Sequence, residues 1–367
     1  MGFLNEYIER LKPYQVASHK IWEVDRTERE GMLKLDWNEG SIPPSPKVKE
    51  EMMRLVADET IYGLYPPTYS DRLMRLLADF TGVKEANLQY FGSSDSLQEY
   101  VSRAILTESE GVLMVGPTYD NFRLSAEAQG AKLHYFEMDA PFVMDVVALD
   151  AKIVAIEGLK MVYLCNPNNP TGTVTAKQDL MWLMDRHPAV LFFIDEAYHE
   201  FGGETVCEDV MKRENLLVSR TFSKAFCLAG FRIGYLMGSQ ALIGGISKIR
   251  NAKNITVFGQ AAACMALEDV PYMREFVREV TQARKQFISF LQGYPDKLEV
   301  FASEANFVLM RFKQEGEKEQ MMAHLIEAGI FVRNLTHSEK LKGCLRISVG
   351  TKEQMAVVEA AMQEFWG

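Results

Sequence analysis

The sequence has no long apolar run anywhere in its 367 residues. No window approaches the roughly 18–20 apolar residues that a membrane-spanning helix needs, so we expect no membrane association. The first residues include the charged Glu6 and lack the apolar core that is typical of a secretory signal. We therefore expect a cytoplasmic protein.

Cysteine is scarce, and its spacing indicates no pairing. The chain contains no Cys-x-x-Cys motif, and its five cysteines are scattered at positions 165, 207, 227, 264 and 344. The six histidines show no metal-ligand spacing either. These absences argue against a disulfide framework and against a metal centre, and they favour a reducing compartment.

Positive charge is in deficit. The chain has 40 Lys and Arg against 50 Asp and Glu, which gives a net charge of -10. Because the basic residues form no runs, we expect no binding to nucleic acid or to an anionic membrane. A small anionic substrate is still compatible with this balance, since a local arginine pocket can outweigh the overall charge.

Short apolar runs alternate with helix-like segments over the first 250 residues. They are continuous and rich in Val, Ile, Leu and Phe, as expected of strands that are buried on both faces. The runs are GVLMVG (111–116), KMVYLC (160–165), AVLFFID (189–195), NLLVSRTF (215–222) and RIGYLMG (232–238). This alternation predicts an α/β fold with a mostly parallel sheet between helices.

The pattern changes after about residue 250. A long helical stretch over 256–293 precedes strand-like segments, a helix over 316–328, two further strand-like segments and a closing helix over 352–365. We interpret residues 1–30 as an N-terminal arm, 31–250 as a large domain and 251–367 as a smaller α+β domain.

Polar motifs follow three consecutive predicted strands. NPNNPTG (166–172), DEAYHEF (195–201) and SKAF (223–226) each come directly after an apolar run. Ligands in open α/β sheets sit at the carboxyl ends of the strands, so these motifs should converge at one edge. Taken singly, each motif has a simpler interpretation: a turn, a cap or an exposed lysine.

Taken together, the three motifs match the needs of a pyridoxal phosphate enzyme. Lys224 would carry the cofactor as a Schiff base, and Asp195 would pair with the pyridinium nitrogen. Tyr198 and Asn169 could donate to the phenolic oxygen of the ring. The cofactor phosphate could be bound by Thr221, Ser223 and Arg232.

Two further segments suit the same cofactor. Gly92, Ser93 and Ser94 precede a predicted helix, where backbone N–H groups form a ready anion site. Tyr119 follows the strand at 111–116, where its ring could stack on the cofactor. Each signal is weak alone, because many helices begin with similar residues and many tyrosines lie at the edge of a core.

These motifs and several others resemble the fold-type I aminotransferases, specifically the histidinol-phosphate aminotransferase group. The resemblance covers nearly the whole chain and rests on the following segments in order: LKPYQVA, LDWNEGSIPPSP, YGLYPP, GSSD, PTY, NPNNPTG, DEAY, RTFSKAF, RIGY, ANFVLMRF, GIFVRN and CLRISVGT.

The resemblance implies roles for individual residues. Lys224 would be both the cofactor lysine and the proton carrier, and the residues named above would bind pyridoxal 5'-phosphate. Tyr65 would reach the cofactor phosphate of the other subunit in a homodimer. The substrate side chains would be Arg346, Arg333, Tyr14 and Asn169.

The resemblance also implies transamination between histidinol phosphate and the glutamate/2-oxoglutarate pair. Relatives with the same lysine site instead process aromatic amino acids or decarboxylate a phosphorylated amino acid. A non-catalytic binding protein of the same fold is a further alternative. A nucleotide-binding Rossmann enzyme ranks last, because no Gly-x-Gly-x-x-Gly follows the first strand.

Overall fold

The structure is a computed structural model that describes residues 3–13, 20–335 and 338–367. The strands are β1 (Leu33–Leu35), β2 (Leu88–Phe91), β3 (Gly111–Gly116), β4 (Lys132–Glu137), β5 (Leu159–Cys165), β6 (Leu191–Asp195), β7 (Leu216–Thr221), β8 (Gly234–Gly238), β9 (Leu298–Val300), β10 (Phe307–Phe312), β11 (Ile330–Asn334) and β12 (Cys344–Ser348).

The helices are α1 (Glu6–Arg10), α2 (Lys20–Glu23), α3 (Pro46–Ala57), α4 (Asp71–Thr81), α5 (Ser94–Ile105), α6 (Asn121–Glu127), α7 (Val146–Val154), α8 (Lys177–Arg186), α9 (Gln240–Ser247), α10 (Val257–Leu267), α11 (Val270–Gln292), α12 (Glu317–Glu327) and α13 (Lys352–Trp366). Across the described residues, no helix is both long enough and apolar enough to cross a membrane.

The large sheet has the strand order β2-β8-β7-β6-β5-β3-β4. Strands β4, β3, β5, β6 and β7 are parallel, while β8 runs antiparallel to both of its neighbours. Every residue of β3, β6, β7 and β8 is buried. The predicted α/β fold with a mostly parallel sheet is therefore confirmed.

Helices cover both faces of this sheet, which explains why its strands are continuously apolar. Leu113 and Val115 of β3 pack in the same core as residues of α7 and α8. Val112 and Met114, which point to the other face, pack with residues of α5, α6 and α9. Strand β4 is an edge strand whose six residues are all exposed or half-buried, so it had no continuous apolar run to reveal it.

The smaller sheet has the order β1-β11-β12-β10-β9. Strand β1 runs parallel to β11, although it lies some three hundred residues earlier in the chain. By pairing, residues 33–35 thus belong with the C-terminal sheet and not with the large domain predicted over 31–250. The remaining domain boundaries stay a prediction.

The helical stretch predicted over 256–293 is present in the structure and is divided into two helices, α10 and α11. The break falls at Glu268 and Asp269, and Pro271 lies in the first turn of α11. Proline lacks a backbone N–H and fits only the first turn of a helix, so it starts a new helix here.

Candidate functional site

The carboxyl ends of β5, β6 and β7 lie side by side. Cys165 pairs with Asp195, and Asp195 pairs with Ser219. The loops that leave these strands carry Asn169, Tyr198 and Lys224. Because β8 runs antiparallel to β7, its first residue lies at the same edge of the sheet, just after Arg232.

The amine of Lys224 does not point to bulk water. Its Nζ donates to the Trp37 carbonyl oxygen at 2.9 Å and lies 5.6 Å from the centre of the Tyr198 ring. Burial lowers the pKa of this amine to about 8; the Glu39 carboxylate opposes the shift, and the Arg346 charge adds to it. This geometry excludes the interpretation of Lys224 as an ordinary solvated lysine.

Asp195 is a buried carboxylate, only 4% exposed, at the end of β6. It accepts hydrogen bonds from the Tyr163 hydroxyl at 3.1 Å, from Gln98 Nε2 at 3.3 Å and from the Ala197 N–H at 3.2 Å. All three donors are neutral, and burial raises the pKa of Asp195 to about 6. Within the described residues this carboxylate forms no ion pair, so the site suits a ligand that brings a cationic N–H.

Tyr198 and Arg346 are joined through Asn169. Asn169 Nδ2 donates to the Tyr198 hydroxyl at 3.1 Å, and its Oδ1 accepts from Arg346 Nη1 at 2.6 Å. A second amide, Asn38 Nδ2, also donates to the Tyr198 hydroxyl at 3.1 Å. Burial raises the pKa of Tyr198, so this phenol stays protonated and remains a hydrogen-bond donor for a ligand.

Polar groups gather at the start of α5. Ser93 caps the helix, with its Oγ accepting from the Ser96 N–H at 3.0 Å. A Cβ on Gly234 would lie 2.9 Å from the Ser94 nitrogen, so glycine is required where β8 meets this loop. Thr221 and Ser223, both buried, are linked through their hydroxyls at 3.0 Å.

Arg232 and Tyr119 meet at an acid, Asp95, that was not among the predicted site residues. Arg232 Nη2 lies 2.9 Å from Asp95 Oδ2, and the Tyr119 hydroxyl donates to Asp95 Oδ1 at 3.0 Å. The side chains of Arg232 and Asp95 are 51% and 41% exposed. The predicted phosphate arginine is thus held at the helix N-terminus by a partner in the GSSD motif.

Arg333 and Arg346 lie directly opposite each other on β11 and β12. Residues opposite each other in antiparallel strands share one face of the sheet, and like charges in such positions repel. Arg346 is buried, and its Nη2 donates to the Asp36 carbonyl oxygen at 2.6 Å. This face of the small sheet therefore suits a bound anion.

Tyr65 and Tyr14 were also predicted for the site. Tyr65 is 80% exposed, and its ring lies 4.6 Å from the Lys253 amine. Tyr14 falls outside the described residues.

The segment over 34–39 overlaps LDWNEGSIPPSP, one of the segments that carry the resemblance, but none of its residues was predicted as a site residue. Backbone carbonyls of Asp36 and Trp37 accept from Arg346 and Lys224, and Asn38 contacts Tyr198. Asn38 is also held by Ser348, whose Oγ accepts from the Asn38 N–H at 2.9 Å. Polar residues directly after β1 could have indicated a role for this segment. The expectation that ligands bind at the carboxyl ends of strands was applied only to the strands of the large sheet.

The donor set fits pyridoxal phosphate. A buried carboxylate without a cationic partner among the described residues suits the pyridinium nitrogen, and a desolvated amine suits a carbonyl. Hydroxyls and N–H groups at the start of a helix suit a phosphate. The observation that carries this fit is the burial of Asp195 among neutral donors.

Comparisons with known proteins place the chain in an aminotransferase family. Residues 30–361 match the family described as aminotransferase class I and II. The chain is 39% identical over 370 residues to a dihydroxyacetone phosphate transaminase of Campylobacter jejuni, covering 98% of this chain and 96% of that protein. It is 32% identical over 369 residues to a histidinol-phosphate aminotransferase of Bacillus subtilis, covering 98% and 99%.

Solved structures show the same fold. A histidinol-phosphate aminotransferase from Sinorhizobium meliloti, solved in complex with pyridoxal-5'-phosphate, superposes with a TM-score of 0.87 at 24% identity, covering 100% of this chain and 98% of that one. Given the family match over most of its length, the chain belongs to the aminotransferase class I and II family and is a pyridoxal-phosphate-dependent aminotransferase.

Proposed function

We propose that this aminotransferase exchanges an amino group between the glutamate/2-oxoglutarate pair and a small phosphate ester. The observation that carries the proposal is the pairing of Arg333 with Arg346 on one face of the small sheet. A phosphate monoester offers a dianion to two guanidinium groups, whereas a carboxylate is satisfied by one.

The named relatives support this class of substrate. One is a dihydroxyacetone phosphate transaminase, and several are histidinol-phosphate aminotransferases. Both substrates in those names carry a phosphate ester, and neither has a carboxylate on the carbon that carries or receives the amine. We therefore propose histidinol phosphate and dihydroxyacetone phosphate as the two candidate substrates for this chain.

We propose that the residues at the sheet edge hold the cofactor. Bound pyridoxal phosphate supplies an electron sink that stabilises negative charge on the reacting carbon of the substrate. Asp195 would keep the ring nitrogen protonated, and Tyr198 and Asn169 would donate to its phenolic oxygen. The phosphate would be bound by the N–H groups of Gly92, Ser93 and Ser94 and by the side chains of Thr221, Ser223 and Arg232, with Tyr119 against the ring.

Lys224 would anchor the cofactor and then move the proton at the reacting carbon. An amine with a pKa of about 8 has an appreciable neutral fraction near physiological pH, far larger than that of an ordinary lysine, so it can accept a proton and return it. The Trp37 carbonyl that accepts from Nζ holds the amine on the Tyr198 side of the site. Arg346 and Asn169 would orient the substrate anion beside it.

We also propose a cytoplasmic homodimer in which Tyr65 completes the site of the partner. Tyr62, Leu64 and Tyr65 form an exposed apolar run that is 61%, 66% and 80% accessible. Apolar side chains that cluster at a surface mark contact sites more often than isolated ones do.

The test is a substrate panel on the cofactor-loaded protein. We expect amino transfer from glutamate to dihydroxyacetone phosphate, or from histidinol phosphate to 2-oxoglutarate, measured by product analysis. Turnover of aromatic amino acids alone would favour the aromatic aminotransferase alternative. Release of carbon dioxide from a phosphorylated amino acid would favour a decarboxylase, and absence of all turnover would favour a non-catalytic protein.

Arg333→Ala tests the phosphate assignment within the same panel. We expect kcat/KM for the phosphate ester to fall. The fall should correspond to a loss of about 2–5 kcal/mol in transition-state stabilisation, the range for truncating one partner of a buried charge pair. The half-reaction with glutamate should change less, because Arg346 remains for its carboxylate. Equal losses for both substrates would remove Arg333 as a phosphate-binding residue.

A further inference from the structure

We propose that Lys34 is a third cation of the substrate phosphate site, beside Arg333 and Arg346, and that it distinguishes a phosphate ester from a carboxylate. The inference rests on the proposed function and deepens it. None of the residues in the surrounding segment, 34–39, was among the predicted site residues.

Strand register places Lys34 on the same face of the small sheet as the two arginines. Lys34 lies opposite Phe331 in the parallel pairing of β1 with β11. Phe331 and Arg333 are two residues apart on β11 and so point to the same face. Arg333 lies opposite Arg346 on β12, which extends the row of cations over three adjacent strands.

The amine of Lys34 is held near the reacting centre. Its Nζ lies 5.0 Å from the centre of the Trp37 ring, and the carbonyl of the same Trp37 accepts from Lys224. The Lys34 side chain is 22% exposed, so the surrounding protein does not cover it completely. Its charge also helps to lower the pKa of the Lys224 amine.

Two carboxylates orient Lys34 without cancelling the charge of the face. Nζ donates to Asp36 Oδ1 at 2.8 Å and to Glu39 Oε2 at 2.6 Å. Three cations against two carboxylates leave the cluster positive. An ammonium group has three N–H donors, and within the described part of the chain Lys34 Nζ donates to these two carboxylates, which leaves a third N–H for a ligand oxygen.

The charge arrangement favours a dianion. A carboxylate has two oxygens, which a single arginine can bind in a bidentate manner. A phosphate ester has three terminal oxygens and about twice the charge near neutral pH, so it gains from a third cation that a carboxylate does not need. Lys34 should therefore contribute to phosphate binding and add little to carboxylate binding.

The experiment measures the affinity of the cofactor-loaded protein for inorganic phosphate and for glutarate by titration calorimetry. Bound cofactor fills its own phosphate site, so added phosphate reports on the substrate site. Lys34→Met should weaken phosphate binding about tenfold, the loss of one modest charged contact, and should change glutarate binding by less than about threefold. Lys34→Arg should retain most of the phosphate affinity.

Lys313→Met is the matched control, because Lys313 is an exposed lysine of the same sheet region whose amine contacts the Pro295 carbonyl. It should leave both affinities unchanged. Equal weakening of phosphate and glutarate by Lys34→Met, or a loss of thermal stability with both affinities intact, would overturn the proposal and leave Lys34 as a structural tie for β1.

The substrate panel separates this proposal from the proposed function. If the wild-type protein turns over neither phosphate ester, the proposed function fails whatever the titrations show. If it turns over a phosphate ester and Lys34→Met raises KM for that ester no more than KM for glutamate, the role of Lys34 fails alone.

Discussion

At the scale of single residues, burial shifts the pKa values of Lys224 and Asp195 in opposite directions. It lowers the pKa of the Lys224 amine and raises the pKa of the Asp195 carboxyl, so both shifts favour the neutral form. Each displacement destabilises the charged form of the side chain in the cofactor-free chain. Perturbed groups of this kind cluster at functional sites because their reactivity depends on the perturbation. Both shifts therefore lead to experiments on pH dependence.

Lys224 should capture the cofactor faster as pH rises. Only a neutral amine attacks a carbonyl, so the rate of pyridoxal phosphate uptake should rise through pH 8 and level off above it. Borohydride trapping followed by peptide mapping measures the uptake and should label Lys224. Lys224→Ala should still fold but lose transamination by several orders of magnitude; a label on another lysine would contradict the assignment.

Asp195→Asn should stabilise the cofactor-free protein. Burial raises the pKa of Asp195 from 3.8 to about 6. Below pH 3.8 the group is protonated in both the folded and the unfolded chain, so it does not lower the free energy of unfolding. Above pH 6 it is ionised in both, and the folded state is destabilised to the full extent. The variant should gain on the order of 3 kcal/mol at pH 8 and little at pH 4, measured by urea unfolding.

Bound cofactor should reverse the order of stability of the wild-type protein and Asp195→Asn. Wild-type protein should gain more stability than Asp195→Asn when pyridoxal phosphate is added, because the carboxylate then has its cationic partner. An Asn variant that is less stable than wild type without cofactor at pH 8 would show that the carboxylate is satisfied by its neutral donors alone.

At the scale of elements, the loop that follows β1 is positioned by its contact with the turn after β7. Gly40 faces Cys227, and a Cβ added at Gly40 would collide with the Cys227 side chain. Cys227 has φ +57°, and its N–H donates to the Lys224 carbonyl at 3.1 Å. The contact thus links the loop that holds Trp37 to the turn that holds Lys224.

Gly40→Ala should cost about 1–3 kcal/mol in the free energy of unfolding, the usual penalty for overpacking. The cost should be smaller in a Cys227→Gly background, because the nearest side-chain atoms are removed, and urea unfolding of the four proteins measures this coupling. Gly244→Ala is the control, since a Cβ there meets nothing within 4 Å. If Gly40→Ala lowered the free energy of unfolding equally in both backgrounds, the Cys227 side chain would not be the group that restricts the loop.

At the scale of the whole molecule, the exposed Tyr65 offers a test of the proposed homodimer. A phenol that is 80% exposed has no evident function on the surface of a single chain. If Tyr65 serves the site of its partner, a site needs Lys224 from one chain and Tyr65 from the other. Two differently damaged chains can then form one intact site.

Mixtures of Tyr65→Phe and Lys224→Ala should recover activity that neither variant shows alone. With random pairing, half of the dimers are mixed and each has one intact site, so about a quarter of wild-type activity is expected. Size-exclusion chromatography should show a dimer at micromolar concentration. Full activity of Tyr65→Phe, or a monomeric protein, would contradict the composite site.

The sequence alone was sufficient to predict the α/β fold and the convergence of Asn169, Tyr198 and Lys224. Continuous apolar runs record burial on both faces, and the carboxyl ends of parallel strands share an edge, so the order of motifs along the chain predicts their order in space. Local chemistry of this kind is encoded in neighbouring residues. The family resemblance then extended the prediction to the arginines of the small sheet.

Only the tertiary structure decided how the segment over 34–39 joins the site. Leu33 pairs with Ile330 across almost the whole chain, and no periodicity in either segment specifies that partner or its register. The same pairing brings Lys34 into line with Arg333, and packing of the loop at Gly40 against Cys227 brings Trp37 to Lys224. Contacts between distant segments depend on how whole elements pack, which is why local sequence patterns did not reveal them.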